Sequence, residues 1–224
     1  MNIKIIIIMF VLLYLFIYKR KLYSSNIIFT DLDQNLTSTT NPTINKNKSQ
    51  SKNLMIVAHP DDEIVFGGKE LFNGNWKVVC VTNATTKSQN KFTLIKSNRK
   101  KEFIKAMKKL KCSYEIWDHE DSLFSADWNK KILIENLKRI LTEEKYNMIV
   151  THNLNGEYGH IQHKQISKLI HKLNPPNLYV FENDTQIINP YFFELKNIFN
   201  NCYGNKQCKK YDKFILHQTI QKVN

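Results

Sequence analysis

His59, Asp61, Asp62 and Glu63 crowd into one short stretch, Ala58-His59-Pro60-Asp61-Asp62-Glu63, directly behind the apolar run Leu54-Met55-Ile56-Val57. Imidazole and carboxylate are the side chains that bind divalent metals and move protons near neutral pH. The bulk of the apolar run predicts a buried strand, and Pro60 stops it. In parallel α/β sheets, ligands bind in the crevice beyond the strand C-termini. Asp-Asp-Glu before a helix also suits capping and dipole compensation. Capping, however, needs one carboxylate and accounts for no histidine.

A second cluster, Thr151-His152-Asn153 followed by Gly156-Glu157-Tyr158-Gly159-His160-Ile161-Gln162-His163, stands behind another apolar run, Met148-Ile149-Val150. If the chain is helical from Tyr158 onward, His160 and His163 share a face. Two histidines and one carboxylate, with the fourth position open to water, are a common catalytic Zn²⁺ set.

Together the two stretches are recognisable. His59-Pro-Asp-Asp-Glu63 followed about a hundred residues later by Gly-Glu-Tyr-Gly-His-Ile-Gln-His resembles the PIG-L/LmbE-like family of zinc-dependent N-acetylglucosamine de-N-acetylases. The resemblance runs from about Asn53 to Glu182, and the pairing of motifs in this order is its specific part. It implies that His59, Asp62 and His163 hold the metal and that Asp61 is the general base. It implies further that Tyr158 or His160 steadies the oxyanion and that His160 protonates the leaving amine. Arg99, Asp121, His152 and Asn153 follow as residues for sugar hydroxyls or phosphate, placed at strand-end loops. Arg99 also reads as a solvated charge at a helix start, with Glu102 nearby. Glu63 reads as an orienting or helix-start residue. Gly-Glu-Tyr-Gly-His stands in place of the serine/glycine-containing segment of phosphatidylinositol-linked members, and a Lys/Asn-rich loop in place of their Gly-rich stretch before the arginine, which brings the chain nearer the bacterial-type branch. Gln162 stands where some relatives have Asp, so the partner that would raise the basicity of His160 is missing from the pattern. The implied activity is removal of acetyl from an N-acetylglucosamine-type conjugate. The alternatives are the phosphatidylinositol-linked enzyme of glycolipid-anchor synthesis and a catalytically silent sugar-binding homologue.

The elements that must position these residues alternate. Strands are predicted at Leu54–Ala58, Trp76–Thr82, Ser113–Trp117, Tyr146–Thr151 and Leu178–Phe181, rich in β-branched residues. Helices are predicted at Ile64–Phe72, Ser97–Leu110, Asn129–Glu144 and Gly159–Leu173, with a polar loop from Asn83 to Thr93. Strands separated by helices imply a right-handed, mostly parallel, Rossmann-like α/β sheet without a glycine-rich dinucleotide turn. Beyond Glu182 a helical extension is expected, with helices at Tyr191–Phe199 and Tyr211–Gln221. Between them Cys202 and Cys208 are close enough in sequence to bridge, whereas Cys80 and Cys112 read as core; in a cytosolic setting free thiols are the default reading. No zinc-ribbon spacing is present.

With 224 residues, the chain suits one domain with appendages: 1–22, 23–52 and a catalytic domain 53–224. Ile5 to Tyr18 carries no charge and is flanked by Lys4 and by Lys19-Arg20-Lys21. That is short of the ~20 residues a bilayer span needs, yet lysine and arginine snorkelling extends a short span. The basic flank lacks the small residues of a signal cleavage site. A single-pass anchor is therefore expected, with the catalytic part in the cytosol by the positive-inside rule. The alternative is a signal peptide and a secreted or luminal protein. Residues 23–52 read as a low-complexity, flexible tether. The net charge of +13 is spread along the chain. Its clusters are not interleaved with aromatics, so no nucleic-acid partner is expected. An anionic membrane surface or phosphorylated substrate suits the charge better.

Overall fold

The computed structural model describes residues 43–45, 53–72, 75–83, 99–122 and 125–223; for 43–45 and 205–207 it describes the backbone. The expected anchor, most of the tether, and the loop 84–98 lie outside the described residues. No helix among the described residues is long and apolar enough to cross a membrane.

Seven strands form one mixed sheet in the order β1-β4-β3-β2-β5-β6-β7. Its centre is parallel: β2 (Asn53–Val57) lies between β3 (Trp76–Thr82) and β5 (Met148–Thr151), with β4 (Ser113–His119) and β6 (Leu178–Asn183) outside them. Both edges are antiparallel, β1 (Thr43–Asn45) on β4 and β7 (Gln218–Lys222) on β6. From β2 the chain steps outward one way through β3 and β4, then returns to the other side of β2 for β5 and β6. The gap between the C-terminal ends of β2 and β5 is thus the switch point where such sheets bind ligands. Both histidine-bearing stretches begin there.

The strand sequences explain the layering. β2 and β3 are buried on both faces, as parallel strands covered by helices must be. Met55, Val57, Val78 and Cys80 face a layer containing α3 (Arg99–Leu110), α6 (Phe192–Tyr203) and α7 (Asn205–Leu216). Leu54, Ile56, Val79 and Val81 face α4 (Lys130–Glu143) and α5 (Ile161–Leu173). Each buried aliphatic or aromatic side chain contributes roughly 1.5–3 kcal/mol over an exposed one.

Three expectations change. The single helix expected at Ile64–Phe72 is two short ones, α1 (Asp62–Val65) and α2 (Gly68–Leu71). The break falls at Gly67, where an added Cβ would lie 2.5 Å from Met55 Cε, so the backbone sits against the sheet. The tether contributes the edge strand β1. At the C-terminus a strand, β7, occupies residues expected to finish a helix, and α7 begins inside the Cys202–Cys208 stretch. All four cysteines are free and buried.

Candidate metal and acid–base site

The turn after β2 and the start of α5 meet at the switch point. His59 Nδ1 lies 3.2 Å from Asp62 Oδ2 and 3.1 Å from His163 Nε2, and His163 Nε2 lies 3.2 Å from Asp62 Oδ2. All three residues are buried. Ligands on a tetrahedral zinc at ~2.0–2.2 Å stand about 3.3–3.6 Å apart. A cation therefore has to spread these three atoms only slightly.

The hydrogen bonds behind the two rings decide which nitrogen each presents. The Gln162 amide donates to Glu120 O at 3.0 Å and to Ser125 O at 3.1 Å. Its oxygen must then face His59 Nε2, at 2.6 Å, so Nε2 carries the hydrogen and Nδ1 keeps the lone pair. His163 is held the opposite way, with Nδ1 2.6 Å from Glu157 Oε2 and Nε2 towards the triangle. A carboxylate or amide oxygen behind a metal-binding histidine fixes its tautomer and orientation. The donor set and its supports fit a divalent cation.

The charges agree with this arrangement. Burial would raise Glu157, but His152 and His163 hold it near 2. Burial would lower His163, but Asp62 and Glu157 push it up to about 10. Burial would raise Asp62, but His163 and His59 hold it well below the usual carboxylate range. Without a cation, the proton on His163 supplies the positive charge that the carboxylates face.

Asp61 stands beside this corner and outside the triangle. Burial lifts its pKa to about 6, against the pull of the Arg99 guanidinium with which it forms an ion pair. Its backbone is left-handed, φ 112°, a conformation that costs an L-residue of order 1–3 kcal/mol and clusters at functional sites. Its side chain caps no helix. Capping therefore does not account for the Asp61 side chain.

A family model described as PIG-L: GlcNAc-PI de-N-acetylase matches residues 54–174. The chain belongs to this family. The uncharacterized protein L374 of Acanthamoeba polyphaga mimivirus is 49% identical over 175 residues, 74% of this chain and 77% of that one. Among solved structures, the N,N'-diacetylchitobiose deacetylase from Pyrococcus horikoshii, complexed with its inhibitor MPG, shares the fold. Its TM-score is 0.55 at 13% identity, over 77% of this chain and 84% of that one.

Within the PIG-L chain the remaining residues separate into those brought to the corner and those committed elsewhere. Tyr158 is half exposed at the mouth, with its ring 5.5 Å from that of His163 and 5.8 Å from that of His160. His160 precedes α5 as its N-cap, so the shared helical face expected of His160 and His163 gives way to ring centroids 4.7 Å apart. Its Nδ1 accepts the backbone N–H of Gln162, and burial together with His59 and His163 pushes its pKa down to about 3. Asp121 Oδ1 lies 3.5 Å from His59 Nε2. Arg99 pairs with Asp61 and donates to Pro60 O, so it is a partner of the acidic turn and not a solvated helix-start charge. His152 and Asn153, expected to meet substrate, are bonded within the protein, and His152 Nε2 lies 3.5 Å from Asp62 Oδ2. His152 is fully buried, accepts Ala58 N–H at Nε2 and bonds Glu157 through Nδ1. Asn153 donates to Phe181 O and accepts the Asn155 and Glu157 amides, which shapes the loop.

Sequence reasoning gave Glu157 no role. Its signal was a carboxylate one residue after a glycine and six before His163. Gly156 is required there, because at φ 67° an added Cβ would lie 2.7 Å from His160 O.

Proposed function

We propose that this PIG-L protein is a zinc-dependent deacetylase that hydrolyses the acetamide of an N-acetylglucosamine-type conjugate, releasing acetate and a free amine. The observation that carries the reading is the triangle of His59 Nδ1, Asp62 Oδ2 and His163 Nε2, with Asp61 buried beside it and outside it. Family membership supports the reaction class.

A divalent cation held by these three residues would supply Lewis acidity, polarising the acetamide carbonyl and making water more acidic. Asp61 takes a proton from the attacking water as the new C–O bond forms. Arg99 fixes the Asp61 carboxylate in place. His160 is neutral, and with Nδ1 occupied it presents Nε2–H to the oxyanion that develops at the acetamide carbonyl. Tyr158, at the mouth, offers a second donor, its hydroxyl. Among the described residues no carboxylate is hydrogen-bonded to the His160 ring, so Asp61 returns its proton to the nitrogen as the C–N bond breaks. Asp121 lies beside the ring of His59 at the same mouth.

We further propose the layout 1–22 anchor, 23–52 tether and 53–224 catalytic domain, with the catalytic part in the cytosol. The charge-free run between Lys4 and Lys19 supports it.

The test is release of acetate from a panel of N-acetylglucosamine conjugates by the zinc-loaded full chain, against chelated protein. Turnover by the zinc form alone is expected. Equal turnover after zinc removal counts against the reading. Asp61 must be deprotonated to act, so activity rises with pH through its pKa. That pKa is about 6 without the cation, and a nearby cation lowers it. The acid limb of the pH–rate profile is therefore expected at or below about pH 6.

A further inference from the structure

The family match ends at residue 174, yet the strained turn that carries Asp61 is held from beyond it. Asp61 N–H donates to Glu63 Oε2 at 2.9 Å, and Tyr203 O–H donates to Glu63 Oε1 at 2.6 Å. Glu63 is fully buried and Tyr203 nearly so. The next turn is gripped from the same side. Gln218 Nε2 donates to the carbonyls of Ile64 and Val65, while Gln218 Oε1 accepts Lys69 N–H at 2.8 Å. A left-handed L-residue persists only where its surroundings over-determine it. Arg99 secures the Asp61 carboxylate; Glu63 alone among these partners secures its backbone N–H.

We propose that Tyr203 and Glu63 form a positioning pair, in which α6 sets the backbone of the Asp61 turn through the Glu63 carboxylate. The pair does not touch the metal corner. It aims the base. This rests on Asp61 being the base, as proposed above. Asp61 N–H and Tyr203 O–H engage different carboxylate oxygens of Glu63, and losing either bond lets the turn relax from φ 112°. A shift on the order of 1 Å in a catalytic group costs about 100-fold in rate.

The experiment uses the zinc-loaded full chain. Tyr203→Phe removes one hydroxyl from an otherwise retained ring, and kcat is expected to fall about 10- to 100-fold with KM and zinc content held. Glu63→Ala is expected to fall further. Glu63→Gln recovers most of that loss while Tyr203 is present, because its amide oxygen accepts Asp61 N–H and its NH₂ donates to the tyrosine oxygen. In the Glu63→Gln/Tyr203→Phe double variant that recovery disappears. Amide exchange at Asp61, read by NMR, is expected to quicken in Tyr203→Phe and Glu63→Ala while Val57 stays protected. That readout needs no turnover, so an inactive wild-type chain would refute the deacetylase reading and leave the pair testable. Unchanged Asp61 exchange in both variants overturns the pair. So does a kcat loss that zinc loss fully accounts for, or Glu63→Gln as slow as Glu63→Ala.

Discussion

At the scale of single residues, the two neighbouring aspartates have different surroundings and different expected failures. Asp62 faces the imidazoles of His59, His163 and His152 within about one ligand–ligand distance, whereas Asp61 faces a guanidinium. Asp61→Asn is expected to keep stoichiometric zinc and lose orders of magnitude in turnover, whereas Asp62→Asn weakens zinc binding itself. Metal analysis beside acetate release separates them, and equal zinc loss in both would show that both coordinate. Gln162 makes a second case. Gln162→Leu strips the acceptor from His59 Nε2–H and abandons the Glu120 and Ser125 carbonyls. His59 is then free to present either nitrogen. Loss of such an outer partner typically costs 10–100-fold in metal affinity. A chelator competition that returns wild-type affinity would show that the ring is oriented by something else. Which residue types gather at this corner was legible from the two motifs. Which nitrogen each ring presents was not, because it depends on Gln162 and Glu157 reaching around the rings in three dimensions.

At the scale of elements, the strands β2 to β6 and their connecting helices were legible because each strand is a compact apolar run and each long helix keeps an apolar face. The antiparallel edges were not. Gln218-Thr219-Ile220-Gln221-Lys222 has no strand signature of its own and becomes β7 only by pairing with β6, about forty residues earlier. The acidic Glu115 on β4 was equally silent, since its meaning lies in β3 and α4. It is fully buried, with Lys77 Nζ at 3.0 Å, Arg139 Nη2 at 2.6 Å and Trp117 Nε1 at 3.1 Å. Burial would raise its pKa; the bonds from Arg139, Lys77 and Trp117 outweigh it and lower the pKa. A lowered carboxylate contributes stability that is complete above its ordinary unfolded value of about 4.3 and lost as pH falls through the folded value. Glu115→Gln is expected to cost about 1.5 kcal/mol at pH 7, because Lys77 and Arg139 lose a buried, charge-assisted acceptor while both keep Glu143. It should also flatten the loss of stability below about pH 4.3. Urea unfolding across that range reads both effects, and an unchanged acid limb would assign the acid sensitivity to other carboxylates.

At the scale of the whole molecule, the question is which N-terminal residues the sheet needs. The low-complexity composition of 23–52 argues for a tether with no structural duty, yet Thr43, Ile44 and Asn45 pair with Ile116, Glu115 and Tyr114. β1 thus covers the outer edge of β4, the strand that carries Glu115. An uncovered strand edge presents unpaired N–H and C=O groups and templates association. Deleting 1–41 removes the apolar run and keeps β1; deleting 1–52 removes both. Neither deletion touches the switch-point corner, so both proteins are expected to bind zinc and to hydrolyse a small soluble N-acetylglucosamine conjugate at similar rates. They should differ in self-association. The 1–52 deletion is expected to run as larger species in size-exclusion chromatography at concentrations where the 1–41 deletion stays monodisperse. Under the proposed anchor layout both lose membrane attachment, and with it the advantage of high local concentration towards a bilayer-held substrate. Glycosylation at Asn35 of the full-length chain would place the tether in the lumen and reverse the proposed orientation. Equal dispersity of the two deletions would mean that β4 tolerates an open edge and that β1 is dispensable.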